Sequence, residues 1–458
     1  MSLHPPIGNK SAHPKHGAST GIDPYLPGIG NGGYRVDSYD IDLDVKISGG
    51  RVDGLVVISA VATQPLSRFS LDLAGLVASK VSVNGSRAAK FSQDGGTLTI
   101  RPSRPLGEGQ AFTVMVQYGG FPHPIAPARG MPGGGWAERQ DGVSVSGYPV
   151  GASTWFPCDE RADDRATVVL RCACDAAFIV VASGVGASPV QRGGRARWLF
   201  TQAEPVSVGT IGLQIGRFGT GLVSPAVPGL RLLTDSGQES DLRYVLDEQE
   251  RTLGILEALL GRLPHPAVTT VVRGEPHDPL FSHSLLTLSR GDVEPGRRFE
   301  RLIVRALAFQ WFGASLAPAL LSDAWLSTGF VRYVEWLWSE RRGGGATADE
   351  LARQYYGEIA AAPRDLRLTN PGPDRVSDDR IGGRGALALH ALRLTVGDDA
   401  FFTLLRGWAD THAGRAVTTE SFLAYAESSA VGSGPAIRGL LEPWLAGEDL
   451  PALPAALG

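Results

Sequence analysis

A chain of 458 residues is too long for one ordinary domain and predicts two or three. With 43% hydrophobic and 20% charged residues it has the composition of a soluble globular protein with a sizeable core. A formal charge of -4 gives no electrostatic reason to expect nucleic acid or an anionic membrane as partner.

Residues 1–33, rich in Gly, Pro, His and Ser, are expected to form an extended arm or a flexible tail. The opening MSLHPPIGNKSAHPKHGAST has no apolar core of a signal peptide, and no run in the chain approaches the ~18 apolar residues of a membrane helix. A cytoplasmic protein is the expectation. Strict alternation begins at Tyr34. In YDIDLDVKI, Tyr39, Ile41, Leu43, Val45 and Ile47 face one way while the acids and Lys46 face the other. Short runs of the same kind follow: LVVISAVA, TLTI, FTVMVQY, ATVVLRCAC, FIVVAS, ARWLFTQ and VGTIGLQIGRFG, with turn signals such as Ser48-Gly49-Gly50 and Asn84-Gly85 between them. Residues 34–219 therefore read as an all-β domain with sheet packed on sheet. The chain has 3 cysteines, an odd number, and Cys172 and Cys174 share one strand face, so they read as small buried side chains and not as a disulfide framework.

From about Val223 the period becomes helical, and residues 220–458 read as a mainly helical domain ending in short helices. DLRYVLDEQERTLGILEALLGRL has apolar residues at helical spacing, and RFERLIVRALAFQWFG is apolar nearly all round, which predicts a buried helix. STGFVRYVEWLWSERR, GALALHALRLTV, DAFFTLLRGWADTH and TTESFLAYAESS continue the pattern, the last with Thr418 or Thr419 as N-cap. The stretch from ARQYYGEI to DDRIGGRG, with Pro363, Pro371 and Pro373, reads as a loop running along a cleft. The fold class is α+β.

Several stretches resemble the M1 aminopeptidases, and in particular their short cytoplasmic bacterial branch. DPYLPGIGNGGYRVDSYDIDL is similar to that branch's opening, and GYPVGASTWFPCDERADDRAT to the segment that closes its β domain. FQWFGASLAPALLSDAWLSTGFVRYVEWLWSE is similar to the heart of its catalytic domain, and RGALALHALRLTVGDDAFFTLLRGW to the helices that follow. The resemblance implies a saddle-like β-sandwich domain followed by a thermolysin-like, mainly helical catalytic-type domain, with a substrate cleft between them. It also implies an activity, the removal of N-terminal amino acids from peptides. That activity uses a zinc held by HExxH and a later Glu, an oxyanion-stabilising Tyr, and a loop that binds the substrate amine.

Set on that pattern, this chain places Arg305 and Phe309 where the two His belong, and Ala306 in place of the general base. Thr328 stands in place of the third ligand, after the same 18-residue interval, and Gly382 in place of the Tyr. A guanidinium stays protonated and repels a cation, and Ala and Phe have no lone pair to give. The amine-binding loop falls roughly at FSHSLLTLS, where Ser284, Leu285 and Leu286 stand and no Glu is present. His277, Asp278 and His283 in HDPLFSH fit no established ligand spacing, and His390 in ALALHALR reads as a core histidine. No zinc or other cofactor is expected.

Arg305 has two readings. It pairs with Asp323 or Glu335 as a structural ion pair, or it supplies the positive charge the zinc once did and binds a carboxylate or phosphate. His283, Asp323, Tyr355 and Tyr356 are further candidates for acid or base work in the cleft. Trp311, Trp325, Trp336 and Trp338 read as core. The expected function is that of a pseudopeptidase whose cleft binds a small, anionic or apolar molecule, a peptide or a partner. The alternative is a repurposed metal-independent enzyme, a cyclase, isomerase or hydrolase acting on a non-peptide metabolite.

Overall fold

The computed structural model describes residues 15–127, 133–235, 240–429 and 434–455. The alternating stretch from Tyr34 forms the strand Tyr34–Lys46, which pairs antiparallel with Arg51–Ala62 and parallel with Ala166–Asp175 inside an eight-stranded sheet. Its inward residues Val36, Ile41 and Leu43 are fully buried, and Tyr39 meets Phe156 edge to face at 5.6 Å. The outward acids are used as well. Asp40 pairs with Arg171 on the adjacent strand, and Asp42 and Asp44 reach Arg197 and Arg195 on the strand beyond it. Two four-stranded sheets complete this domain, and all its strands share one apolar core that includes Trp155, Phe156 and Cys158. Cys158, Cys172 and Cys174 are free and buried.

The last strand of this domain is Gly212–Gly216, and the next, Leu222–Val223, already belongs to a different, five-stranded sheet. That sheet continues through Leu230–Thr234, Val268–Arg273, Leu285–Ser289 and Leu280–Ser282, where helices alone were expected. Its middle strands are parallel and buried on both faces, so VTTVVR and LLTLS show no alternation, and an apolar run that short carries no period.

Eight helices are described: α1 (Arg243–Leu260), α2 (Arg297–Trp311), α3 (Trp325–Arg341), α4 (Ala348–Ala361), α5 (Asp379–Val396), α6 (Asp398–Thr411), α7 (Thr419–Ser429) and α8 (Gly434–Ala446). They share a second core in which Trp311, Trp325, Trp336 and Trp338 are all buried. Two expectations change. The segment ARQYYGEI is not loop but most of α4, started by a capping box between Thr347 and Glu350. And α2 is not apolar all round, because the Arg301 side chain is 51% exposed and Arg305 34%. Thr418 is the N-cap of α7, its Oγ1 accepting from Ser421 N. α3 and α5 cross backbone to backbone at Gly329 and Gly385, where a Cβ on Gly329 would lie 3.0 Å from the Gly385 Cα. His390 is buried between Tyr333 and Asp349.

Residues 15–33 form an arm bonded to both domains, while residues 1–14 of the expected arm lie outside the described residues. Gly17 N donates to Arg68 O, Gly30 N to Asp72 Oδ2 and Asn31 N to Asp159 Oδ1, all in the β domain. Further back, Asp23 Oδ2 accepts from Leu321 N, and Tyr25 bonds Asn370 and Gly372, all in the helical domain. Among the described residues no helix is long and apolar enough to cross a membrane.

Candidate functional site

Between the domains lies a cavity of about 450 Å³. The helical period builds most of it. Arg305 and Phe309, four apart, lie on one face of α2, and Thr328 and Arg332, also four apart, on one face of α3. Gly382, in the first turn of α5, packs against Thr328 and completes the wall. Four of the five positions singled out from the sequence therefore meet in one cavity. The fifth, Ala306, is turned away and is fully buried.

Arg305 donates from Nε to Glu335 Oε2 at 2.5 Å, and Arg301 donates to the other oxygen of the same carboxylate. Glu335 is 5% exposed, so both of its oxygens are committed inside the protein. Asp323, the other expected partner, is elsewhere: it accepts from Thr419 N and Oγ1 and anchors the start of α7. A third guanidinium, Arg332, lines the cavity beside Arg305. Burial, and then the Arg305 charge, push its pKa down. Among the described residues it makes no hydrogen bond or ion pair, and its nearest ring is Tyr355, 5.9 Å away.

The remaining candidates do not reach the cavity. His283 is 2% exposed and lies against His265 with ring centres 3.8 Å apart, its backbone N bonded to Thr210 O. Tyr355 is packed over Gly383 and beside Trp336, and Tyr356 packs on the helical core. Ser284, Leu285 and Leu286 are buried at the start of a strand, and Ser284 Oγ accepts from Gly184 N. The part of that segment on the cavity wall lies a few residues upstream, at Asp278 to Phe281.

Other wall residues were not anticipated. Tyr148 comes from the β domain, meets Phe309 at 6.0 Å, and has its phenol pushed up to about 12 by burial. Val376 to Asp379 come from the loop into α5. Asp378 caps that helix through Arg380 N, and its hydrogen bond with the Arg380 guanidinium holds its carboxyl below the usual range. Asp278 and Asp379 are exposed at the rim. Arg332 had a signal in the sequence, one helical turn after Thr328. Tyr148 had none, because only the packing of one domain on the other brings it here.

The residues present do not suit a zinc ion. Arg305 offers only a cation, Phe309 and Gly382 offer no donor atom, and the Thr328 hydroxyl donates to Ala324 O. Among the described residues no group of three or more His, Cys, Asp or Glu side chains converges to hold a metal. A zinc site of the protease type needs three protein ligands and an open position.

No model of a protein family matches the sequence. Among curated proteins, the transcription initiation factor TFIID subunit 2 of Gallus gallus is 24% identical over 238 residues, 50% of this chain. Human aminopeptidase O is 22% identical over 236 residues, 42% of this chain. The chain spans only 20% and 27% of the lengths of these two relatives. Solved structures match over the whole fold. The M1 zinc metallopeptidase of Deinococcus radiodurans superposes with a TM-score of 0.84 at 29% identity, covering 95% of this chain and 99% of that one. A glutamate-to-alanine mutant of it matches at 30% identity and TM-score 0.83, with 94% and 99% covered, and the mutant has also been crystallised with a Tyr-Ser-Ala substrate. The β-sandwich and the helical domain follow one another in the same two-domain arrangement. Identity at that level, sustained over nearly the full length of both chains, makes this protein a member of the M1 zinc metallopeptidase family.

Proposed function

We propose that this chain is a pseudopeptidase, an M1 protein that holds no catalytic zinc, removes no amino acids from peptides, and uses its interdomain cavity to bind a small ligand or a partner. The observation that carries the proposal is the chemistry of Arg305, Phe309, Thr328 and Gly382 in one cavity, with a fixed positive charge where a cation would have to sit. Ala306, buried beside them, has no group to take a proton from water. A second support is that one curated relative bears the name of a transcription-factor subunit and not of a peptidase. Protein purified without chelators should contain no stoichiometric zinc, and should not hydrolyse aminoacyl p-nitroanilides before or after zinc is added. One zinc per chain together with hydrolysis would overturn the proposal.

The second reading is a metal-independent enzyme. In its favour, the cavity is open, and Arg305 and Tyr148 both line a space large enough for a metabolite. Against it, general acid–base work is best done by a group that titrates near neutral pH. Burial moves the Tyr148 phenol up to about 12, and Arg380 moves Asp378 the other way. Binding without turnover is the function these groups serve best.

A further inference from the structure

We infer that the ligand of this cavity is a carboxylate with an apolar body, its carboxyl group held between Arg305 and Arg332. The inference rests on the cavity being a zinc-free binding site, and goes beyond it in naming the chemistry of the ligand.

The argument starts from a charge imbalance. Three guanidinium groups, on Arg301, Arg305 and Arg332, surround one carboxylate, that of Glu335. Arg301 takes one oxygen and the Arg305 Nε takes the other. The terminal nitrogens of Arg305 and the whole guanidinium of Arg332 then have no acceptor among the described residues, although both side chains line the cavity. Water still reaches Arg305, but Arg332 is more buried and makes no bond to a counterion among the described residues, and a cation partly withdrawn from water in that way is costly. The acids nearby do not supply one, since Asp378 is bonded to Arg380 and Asp278 and Asp379 are exposed at the rim. An anionic ligand would.

The rest of the wall selects the kind of anion. Beyond the two arginines the cavity is lined by Phe281, Phe309, Tyr148, Val331 and Val376, which suits a hydrocarbon or aromatic body and not a small hydrated ion. Two oxygens in a plane match the donor forks of two guanidinium groups. Glu335 acts here as a positioning residue. By binding Arg305 through Nε, it fixes a side chain that lines the cavity and leaves its terminal nitrogens without a bond among the described residues. A second cavity, of about 490 Å³, lies on the far side of Glu335 and shares Arg332 with the first. Three carboxylates, on Glu300, Glu335 and Glu358, already line the second cavity beside its arginines, whereas the acids of the first are bonded to Arg380 or exposed, so an anion is the better match for the first.

The test is calorimetric titration of the full chain with 4-phenylbutyrate, its neutral amide, and inorganic phosphate, alongside dialysis against zinc chloride with metal analysis. The expected result is saturable binding of the carboxylate, with the amide and phosphate each weaker by about tenfold or more. Arg305→Met and Arg332→Met should each weaken 4-phenylbutyrate about 10- to 100-fold. Arg332→Lys should recover part of that loss, with unfolding midpoints confirming that the variants fold. Equal binding of acid and amide, or phosphate as tight as the acid, would overturn the inference. So would unchanged affinity in both methionine variants. Retention of one zinc per chain would overturn the zinc-free reading beneath it, whereas no zinc and no 4-phenylbutyrate binding would sink the carboxylate alone.

Discussion

Glu335, on α3, holds two arginines from successive turns of α2 while being 5% exposed itself, and its loss leaves both without an acceptor. Breaking a buried pair from one side costs about 3–5 kcal/mol, but water reaches Arg301 and Arg305, which lowers the figure. Glu335→Gln should therefore lose about 1–3 kcal/mol in urea unfolding, with most of the loss gone in an Arg301→Met, Arg305→Met, Glu335→Gln triple variant. A Glu335→Gln protein as stable as the parent would show the carboxylate to be idle. At this scale the sequence was informative where a helix sets the geometry. Arg305, Phe309 and Thr328 were found because the resemblance to the M1 pattern fixes them by position along the chain, and the helical period then puts Arg305 and Phe309 on one face. Asp323 was misassigned because its partner, Thr419, is 96 residues away and no periodicity joins the two.

The crossing of α3 and α5 is the element-level feature that brings Thr328 and Gly382 together. Gly329 and Gly385 touch backbone to backbone, so a methyl on Gly385 would lie 2.9 Å from the Gly329 Cα, with the Trp325 ring next to it. Gly385→Ala should push the helices apart and cost about 1–3 kcal/mol, read as a lowered unfolding midpoint. An exposed-helix control, Gly254→Ala, has open space around it and should be neutral or slightly stabilising. The helices around this crossing were legible because each has a broad apolar face. α4 was not, although Ala348, Leu351, Ala352, Tyr355 and Ile359 follow a helical spacing, because only the two alanines are buried and the prolines after it drew the whole stretch into a loop reading. The five-stranded sheet was missed for the opposite reason, being buried so thoroughly that nothing alternates.

Two buried clusters of opposite character set how the whole molecule responds to pH. At the domain junction His265 and His283 face each other with Arg165 nearby. Burial, and then the neighbouring charges, push His265 down to about 4 and His283 well below its ordinary value. A histidine so depressed contributes stability that is complete above 6.5 and is lost as pH falls toward its folded value. In the β domain, Asp72 and Asp164 are buried among Asp159 and Glu160, and burial raises them to about 7 and about 6. A carboxyl so raised contributes stability that is complete below 3.8 and is lost as pH rises through its folded value. Between about pH 4 and 6.5 each group changes stability by up to about 1.4 kcal/mol per pH unit, in opposite directions. The two sets therefore oppose one another there, and Asp159 and Glu160, which burial also raises, add to the carboxyl side. Relative to the parent, His265→Gln should gain stability on acidification and Asp72→Asn should lose it, as measured by urea midpoints across that range. Two variants with the same slope would contradict this assignment of charge.

The N-terminal arm carries a mechanical consequence. It is fastened at one end to the β domain through Asp72 and Asp159, and at the other to the helical domain at Leu321, Asn370 and Gly372. Between these anchors Tyr25 and Leu26 pack on Val150 and Leu321, with Val376, on the cavity wall, against the same cluster. The arm thus crosses the joint like a tendon, bonded to both halves. Removing residues through Leu26 should leave both cores folded yet let the joint work loose, seen as faster amide hydrogen exchange at 376–378. An unaltered exchange rate there would mean that the halves are gripped by their own contacts and the tendon is slack.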